Sequence, residues 1–229
     1  MKHFYTFILL FLLSNVSATD TTNVFSIRLR NNLDKFQKVI SSSYQENDIY
    51  KTGLVFDNLI QSKLIGTRFD DLNFKVLYKK RRTLSSYDKP VMLITLAVNT
   101  LKGKGEIQAI NHLAKKYKNE VQIVVLFWNK KHEVKFTAKK FYQSIDVCCV
   151  GENNFKDLKN IALLKKGLGL SNIYIIDNDL KLVELKRHIV ESEYKIDFKK
   201  SYSLYFDRYK NMITSIIPID NNKERLALR

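Results

Sequence analysis

Two largely apolar runs a helix-length apart, Val91 to Val98 and Val121 to Trp128, set most of what this chain can become. Neither alternates polar with apolar residues, and a strand with apolar side chains on both faces belongs inside a sheet that is covered on both sides. Between them, Glu106 to Tyr117 carries Ile107, Ile110, Leu113 and Ala114 at helical spacing. Strand, helix and strand in that order form a βαβ unit with parallel strands, because an antiparallel pair would need only a short turn. Chain chirality makes the crossover right-handed.

The rest of the chain extends this unit. Gly66 to Val76 predicts a short strand or hairpin with Phe69, Leu72, Phe74 and Val76 available for burial, and Thr83 to Asp88 a turn before Lys89-Pro90. Phe136 to Ser144 reads as a helix, Ile145 to Val150 as a short strand or sheet edge, and Asn154 to Gly167 as a helix ending at a glycine. Asn172 to Asp177 is a strand that turns at Asn178-Asp179 into Lys181 to Leu185, an antiparallel hairpin. The last helix, Asp197 to Ile213, puts Phe198, Tyr202, Tyr205, Phe206, Tyr209 and Ile213 on one stripe that can cover the sheet. Ahead of all this, Ile27, Leu33, Phe36, Val39 and Ile40, then Leu54, Val55, Leu59 and Ile60, form two helically spaced runs that predict a helical extension packed on the main domain.

The first residues, Met-Lys-His and then an uncharged stretch from Phe4 to Leu13, lead to the small residues Ser17 and Ala18; this is the pattern of a secretory signal peptide, with cleavage expected after Ala18. The stretch is half of the ~20 apolar residues that a spanning helix needs, and no later segment is long and apolar enough to cross a bilayer. The expected divisions are therefore 1–18 signal peptide, 19–63 extension, 64–213 main domain and 214–229 tail, with secretion or a periplasmic location. The two cysteines, Cys148 and Cys149, are neighbours with Cα atoms ~3.8 Å apart, shorter than the ~4.4–6.8 Å of a usual disulfide, so no framework of bridges can form. A net charge of +16 favours acidic partners such as polyanions, anionic lipid head groups or acidic proteins. The lysines are nevertheless spread along the chain, as on a solvated basic surface, and nucleic acid is not expected as a partner of a secreted chain.

Leu64-Ile65-Gly66 with Phe69-Asp70-Asp71, then Thr83-Leu84-Ser85-Ser86-Tyr87-Asp88-Lys89-Pro90-Val91-Met92-Leu93, are similar to the Gly-x-x-x-Pro-x-Phe opening and the Leu-Ser-x-x-x-Gly-Lys-Pro lead-in of the extracytoplasmic redoxins of the TlpA/ResA and peroxiredoxin-like group. Tyr174-Ile175-Ile176-Asp177, with Asn178-Asp179 and Lys181, corresponds to that family's hairpin, and the resemblance covers about residues 64–213. It implies an α/β thioredoxin-like fold, a central mixed sheet flanked by helices. It also implies where the chemistry would sit. Keeping Ala97 and Glu106-Ile107 in step with the family puts Thr100 where the attacking cysteine of Cys-x-x-Cys belongs, Gly103 where the resolving cysteine belongs, and Ser171 where the family has a cis-proline. Disulfide exchange needs a thiolate that attacks sulfur and leaves again as a thiolate, which a threonine hydroxyl cannot do. A cis bond without proline costs about 2.5–4 kcal/mol, so the loop at Ser171 is expected to be trans.

Cys148 and Cys149 end a predicted strand, where successive side chains point to opposite faces, so one is expected to be buried and inert. The alternative is a relocated redox or metal-binding thiol. The loop Asn99 to Gly105, with Lys102 and Lys104, could offer free N–H groups to an anion, but two glycines among lysines also make a plain flexible loop. His112, His132 and His188 lack metal-ligand spacing, Trp128 reads as a packing residue, and Asp70-Asp71 read as solvated acids. The expectation is an extracytoplasmic, redox-inactive binding or accessory module with no cofactor or metal, whose protein partner is not named by the sequence. The alternative is a thiol–disulfide oxidoreductase or peroxiredoxin-like enzyme using Cys148 or Cys149.

Overall fold

The computed structural model describes residues 21–45, 49–100, 105–150, 155–169, 171–187 and 197–217. The βαβ unit is formed by β3 (Val91–Leu96), α4 (Glu106–Lys116) and β4 (Gln122–Phe127), and all six residues of β3 are buried. Before it come α1 (Phe25–Asn31), α2 (Leu33–Gln45), α3 (Ile49–Lys63) and a hairpin of β1 (Asn73–Lys75) with β2 (Arg81–Thr83). After it come α5 (Lys131–Ala138), β5 (Asp146–Cys149), α6 (Phe155–Leu168), β6 (Asn172–Ile176), β7 (Leu182–Arg187) and α7 (Phe198–Thr214).

The main sheet has the order β5-β4-β3-β6-β7. β3 runs parallel to β4, and β4 to β5, with Leu96 level with Phe127 and Phe127 level with Cys149; β6 is antiparallel to β3 and to β7. Parallel strands joined through a helix, then an antiparallel hairpin and a closing helix on the face that carries α4, make this a thioredoxin-like α/β fold. The period of two along each strand divides the core. Leu93, Val124, Leu126, Cys148, Tyr174 and Ile176 join Phe25, Leu29, Phe36, Phe56 and Ile60 of α1 to α3, and Leu64 just beyond α3, on one side, with Ile161 and Leu164 of α6. Met92, Ile94, Val125, Phe127, Cys149, Ile173 and Ile175 face α4 and α7 on the other.

The N-terminal helices are thus part of one core layer. Phe25 packs against Phe69 with ring centroids 4.6 Å apart, and Phe69 meets Tyr174 edge-on at 5.6 Å. The Arg187 guanidinium lies over the Phe56 ring, 3.4 Å from its centroid. The chain between α3 and β1 lies along β7: Gly66 N–H donates to the Leu182 carbonyl, Leu182 N–H to that of Thr67, and Phe69 N–H to that of Leu180. On the opposite side Val76 bridges Cys148, and Leu77 N–H donates to the Val147 carbonyl at 2.8 Å.

Several expected boundaries move, each for a local reason. The helix expected over Phe136 to Ser144 begins earlier and stops sooner, at Lys131–Ala138. The Glu133 carboxylate accepts from Lys130 N–H and from the Asn129 amide, so the first turn is capped one turn upstream of Phe136. Those hydrogen bonds hold the Glu133 carboxyl below its usual range. Phe136 is 73 % exposed, and Val134 is the residue that α5 buries. In α7 the buried line is Ser201, Tyr205, Tyr209, Met212 and Ile213, while Phe198 is 52 % exposed and Tyr202 and Phe206 flank the seam beside His112. The second strand of the last hairpin starts at Leu182 rather than Lys181, because Lys181 N–H donates to Asp177 Oδ1 within the turn and Leu180 takes a left-handed φ of 61°. Residues 1–20, with the apolar stretch at Phe4 to Leu13, and the tail beyond 217 lie outside the described residues.

Candidate functional site

The loop that leaves β3 carries Thr100, expected where the resembled family has its attacking cysteine. A single 3-10 turn, Val98–Thr100, follows Ala97 directly. The Thr100 hydroxyl donates to the Ala97 carbonyl at 2.7 Å and lies 3.1 Å from Ala97 N–H, which donates to it, so the side chain closes its own turn. Val98 N–H donates to Asn129 Oδ1 across the gap to the end of β4. Gly103, with Lys102 and Lys104, lies outside the described residues.

Gly105 is not the flexible loop glycine that its surroundings suggest. A Cβ on it would lie 2.3 Å from Tyr202 N and 2.7 Å from Tyr202 Cα, so α4 and α7 meet here backbone to backbone. The next residue, Glu106, is fully buried, and its Oε1 accepts from the Tyr209 hydroxyl at 2.5 Å. Burial and the adjacent carboxylate push the Tyr209 phenol well above its usual range, so it stays a protonated donor. Sequence reasoning passed over this pair, although Glu106 stands three, four and seven residues before Ala109, Ile110 and Leu113 and so on their face of the helix.

Ser171, expected at the family's cis-proline position, precedes β6 and is half-buried; among the described residues no peptide bond is cis, and Leu170 on its N-terminal side is not among them. Asn172 next to it is buried, its N–H donating to Thr95 Oγ1 and its side-chain amide to the carbonyl of Leu168. Both cysteines are free and fully buried, where one had been expected to be, because β5 is covered on both faces: Cys148 belongs to the core layer of α1 to α3, and Cys149 to that of α4 and α7. They stand two strands away from β3, a lateral distance of ~10 Å. Desolvation, then the Asp146 carboxylate and Cys149, push the Cys148 thiol well above its usual range.

Asp146, 2 % exposed, gathers a polar group around the first residue of β5. Lys79 Nζ lies 2.6 Å from Oδ1 and also donates to the Gln143 carbonyl, and the Tyr87 hydroxyl donates to Oδ2 at 2.8 Å. Burial and this carboxylate raise the Tyr87 phenol far above its usual range. These bonds tie the β1-β2 segment to the sheet, which is a structural task. Replacing Asp146 with Asn should cost about 1–2 kcal/mol, since the Tyr87 bond becomes neutral and Lys79, partly exposed, can rehydrate. An unchanged urea midpoint would show that the charge contributes nothing.

The remaining candidates divide. Asp70 is not merely a solvated acid: it accepts from Ser26 N–H and hydroxyl and from the Asn160 amide, joining α1 to α6, while Asp71 receives Ser85 at the surface. Trp128 packs against the core. His112 is exposed, hydrogen-bonded to the Tyr202 hydroxyl and tilted against Phe206. His132 is exposed and His188 lies outside the described residues, among which no three His, Cys, Asp or Glu side chains could hold a metal ion and no helix is long and apolar enough to cross a membrane.

No family model and no curated protein sequence matches the chain. Among solved structures it is similar to a thiol:disulfide interchange protein from a Bacteroides species, at 13 % identity over 69 % of this chain and 93 % of the other, with a TM-score of 0.47. It is similar to a peroxiredoxin-like protein from Aquifex aeolicus at 13 % identity, over 67 % and 88 % of the two chains, with a TM-score of 0.45. An exposed lipoprotein thioredoxin from Streptococcus pneumoniae is similar at 16 % identity over 60 % of this chain and 99 % of its own, with a TM-score of 0.42.

Proposed function

We propose that this thioredoxin-like protein is extracytoplasmic, has no thiol chemistry, and acts by binding a partner. One observation carries the reading: the turn before α4 holds Thr100, its hydroxyl engaged with Ala97, while the only two thiols of the chain are fully buried on β5. A thiol serves as nucleophile only as an accessible thiolate, and burial beside Asp146 opposes ionisation of Cys148. The extracytoplasmic part of the proposal rests on the charged start, the apolar stretch Phe4 to Leu13 and the small residues that end at Ala18.

Alkylation of the reduced native protein with iodoacetamide, alongside an insulin-reduction assay, tests the central part. Labelling of Cys148 and Cys149 should be slow and should accelerate only with denaturant, and no turnover should appear. Rapid labelling at neutral pH with turnover that Cys148→Ser or Cys149→Ser abolishes would establish the alternative, an oxidoreductase built on those thiols, and the same pattern in a hydrogen peroxide consumption assay would establish a peroxidase.

A further inference from the structure

We infer that the outer face of α5, together with the adjoining end of α4, is a docking surface for an anionic phospholipid bilayer, with Phe136 entering the acyl boundary and lysines meeting the head groups. Phe136 is the most exposed of the large apolar side chains among the described residues, at 73 %. One turn further on, Lys140 places its Nζ 4.9 Å from the Phe136 ring centroid. Residues 130–140 contain five lysines against the single acid Glu133. Lys130, Lys135, Lys139 and Lys140 are exposed.

The patch does not end with α5. Asn111 of α4 donates its side-chain amide to the Lys140 carbonyl at 2.8 Å and accepts from Tyr142 N–H at 2.7 Å, which fixes the two segments side by side. Lys115, one turn along α4, sits over the Tyr142 ring at 4.9 Å. The result is one basic surface with a protruding aromatic ring, on a chain whose net charge is +16. Charge complementarity selects an acidic partner, and the ring selects among acidic partners. A lone exposed apolar side chain on a soluble protein is ordinary, but one at the centre of a lysine cluster matches the interfacial pattern of an apolar insert with cations at head-group level. A wholly polar polyanion would give that ring no apolar phase to enter.

This inference is independent of the thiol question. Lack of lipid binding would leave the inert-thiol reading intact, and reactive thiols would leave this one intact. The test is flotation of the full chain with vesicles of phosphatidylcholine alone or with about one-third phosphatidylglycerol, at low and at raised salt. Neutral vesicles report any contribution common to all variants, including one from residues 4–13. Association with anionic vesicles should exceed that with neutral ones by at least about tenfold and should fall steeply with salt. Phe136→Ala should weaken it by about five- to twentyfold while leaving retention on heparin unchanged, and the triple change Lys135→Glu, Lys139→Glu, Lys140→Glu should abolish the preference for anionic vesicles. All these positions are exposed, and an unchanged melting temperature will show that the variants fold. Equal association with neutral and anionic vesicles, indifference to Phe136→Ala, or tighter binding to single-stranded nucleic acid than to vesicles would each overturn the inference.

Discussion

Gly105→Ala should destabilise the protein by about 3 kcal/mol or more, while the same substitution at Gly53 should leave it unchanged or slightly stabilised. The added methyl at residue 105 would lie 2.3 Å from Tyr202 N, and the atoms it meets are backbone atoms of α7, which cannot rotate aside as a side chain could. Nor is the cost one of backbone conformation: Gly105 has φ −83° and ψ −25°, ordinary helical values that alanine adopts freely. Relief requires moving α7 away from α4, and that opens the layer where Ala109, Ile110 and Leu113 meet Tyr205, Tyr209 and Ile213. Gly53, within α3, has no heavy atom within 4 Å of the corresponding methyl, so there only the helix preference for alanine remains, worth up to about 1 kcal/mol. Thermal and urea melts of the two variants measured together decide the matter. Equal and small effects would show that the two helices can separate at no cost.

The protein should also unfold cooperatively in base, with stability falling from about pH 10 upward. Desolvation by burial holds the protons of Tyr87, Tyr174 and Tyr209 well above the ordinary phenol range, and the Asp146 and Glu106 carboxylates add to it at Tyr87 and Tyr209. In the unfolded chain the same phenols ionise near pH 10. Their contribution is therefore complete below that pH and is lost as pH rises from the unfolded toward the folded value. Each proton retained only by the native state gives a slope of about 1.4 kcal/mol per pH unit, so the three together give about 4. One pH unit then removes from about a quarter to most of the 5–15 kcal/mol margin common to natural domains. The Cys148 thiol, raised in the same direction, adds to the loss from a lower pH, near 9. Tyrosinate absorbance followed with far-UV circular dichroism should show surface rings ionising first and the buried ones only as helix signal disappears. Tyr87→Phe should make the stability slope shallower. Complete ionisation with the circular dichroism spectrum intact would contradict this account.

The sheet was legible because its central strands are written as apolar runs: Val91 to Leu96 and Gln122 to Phe127 lie within the runs Val91 to Val98 and Val121 to Trp128, and the last hairpin turns at Asn178-Asp179 as expected. Helix limits were less legible. Apolar spacing alone missed the start of α5, which depends on the Glu133 carboxylate, and spacing could not tell which side of α7 would face outward. That choice depends on α4, whose close approach at Gly105 brings Ser201, Tyr205 and Tyr209 inward and leaves Phe198 at the rim. At the candidate site, the expectation that Thr100 stands where a cysteine would be comes from the resemblance, whose alignment runs through Ala97 and Glu106-Ile107. The burial of both cysteines could not be read in this way, because it requires chain distant in sequence to close over β5, with Val76 paired to Cys148 and α5 packed beside the strand. Long-range polar pairs such as Tyr87 with Asp146, 59 residues apart, leave no periodic trace at all.

Backbone pairing along both margins of the main sheet limits how the molecule can meet others. Val76 and Leu77 occupy part of the outer side of β5, and residues 66–69 occupy the beginning of β7. An incoming extended peptide would have to displace chain that is already hydrogen-bonded before it could add as a further strand. Strand addition and lateral self-polymerisation are both disfavoured at those stretches.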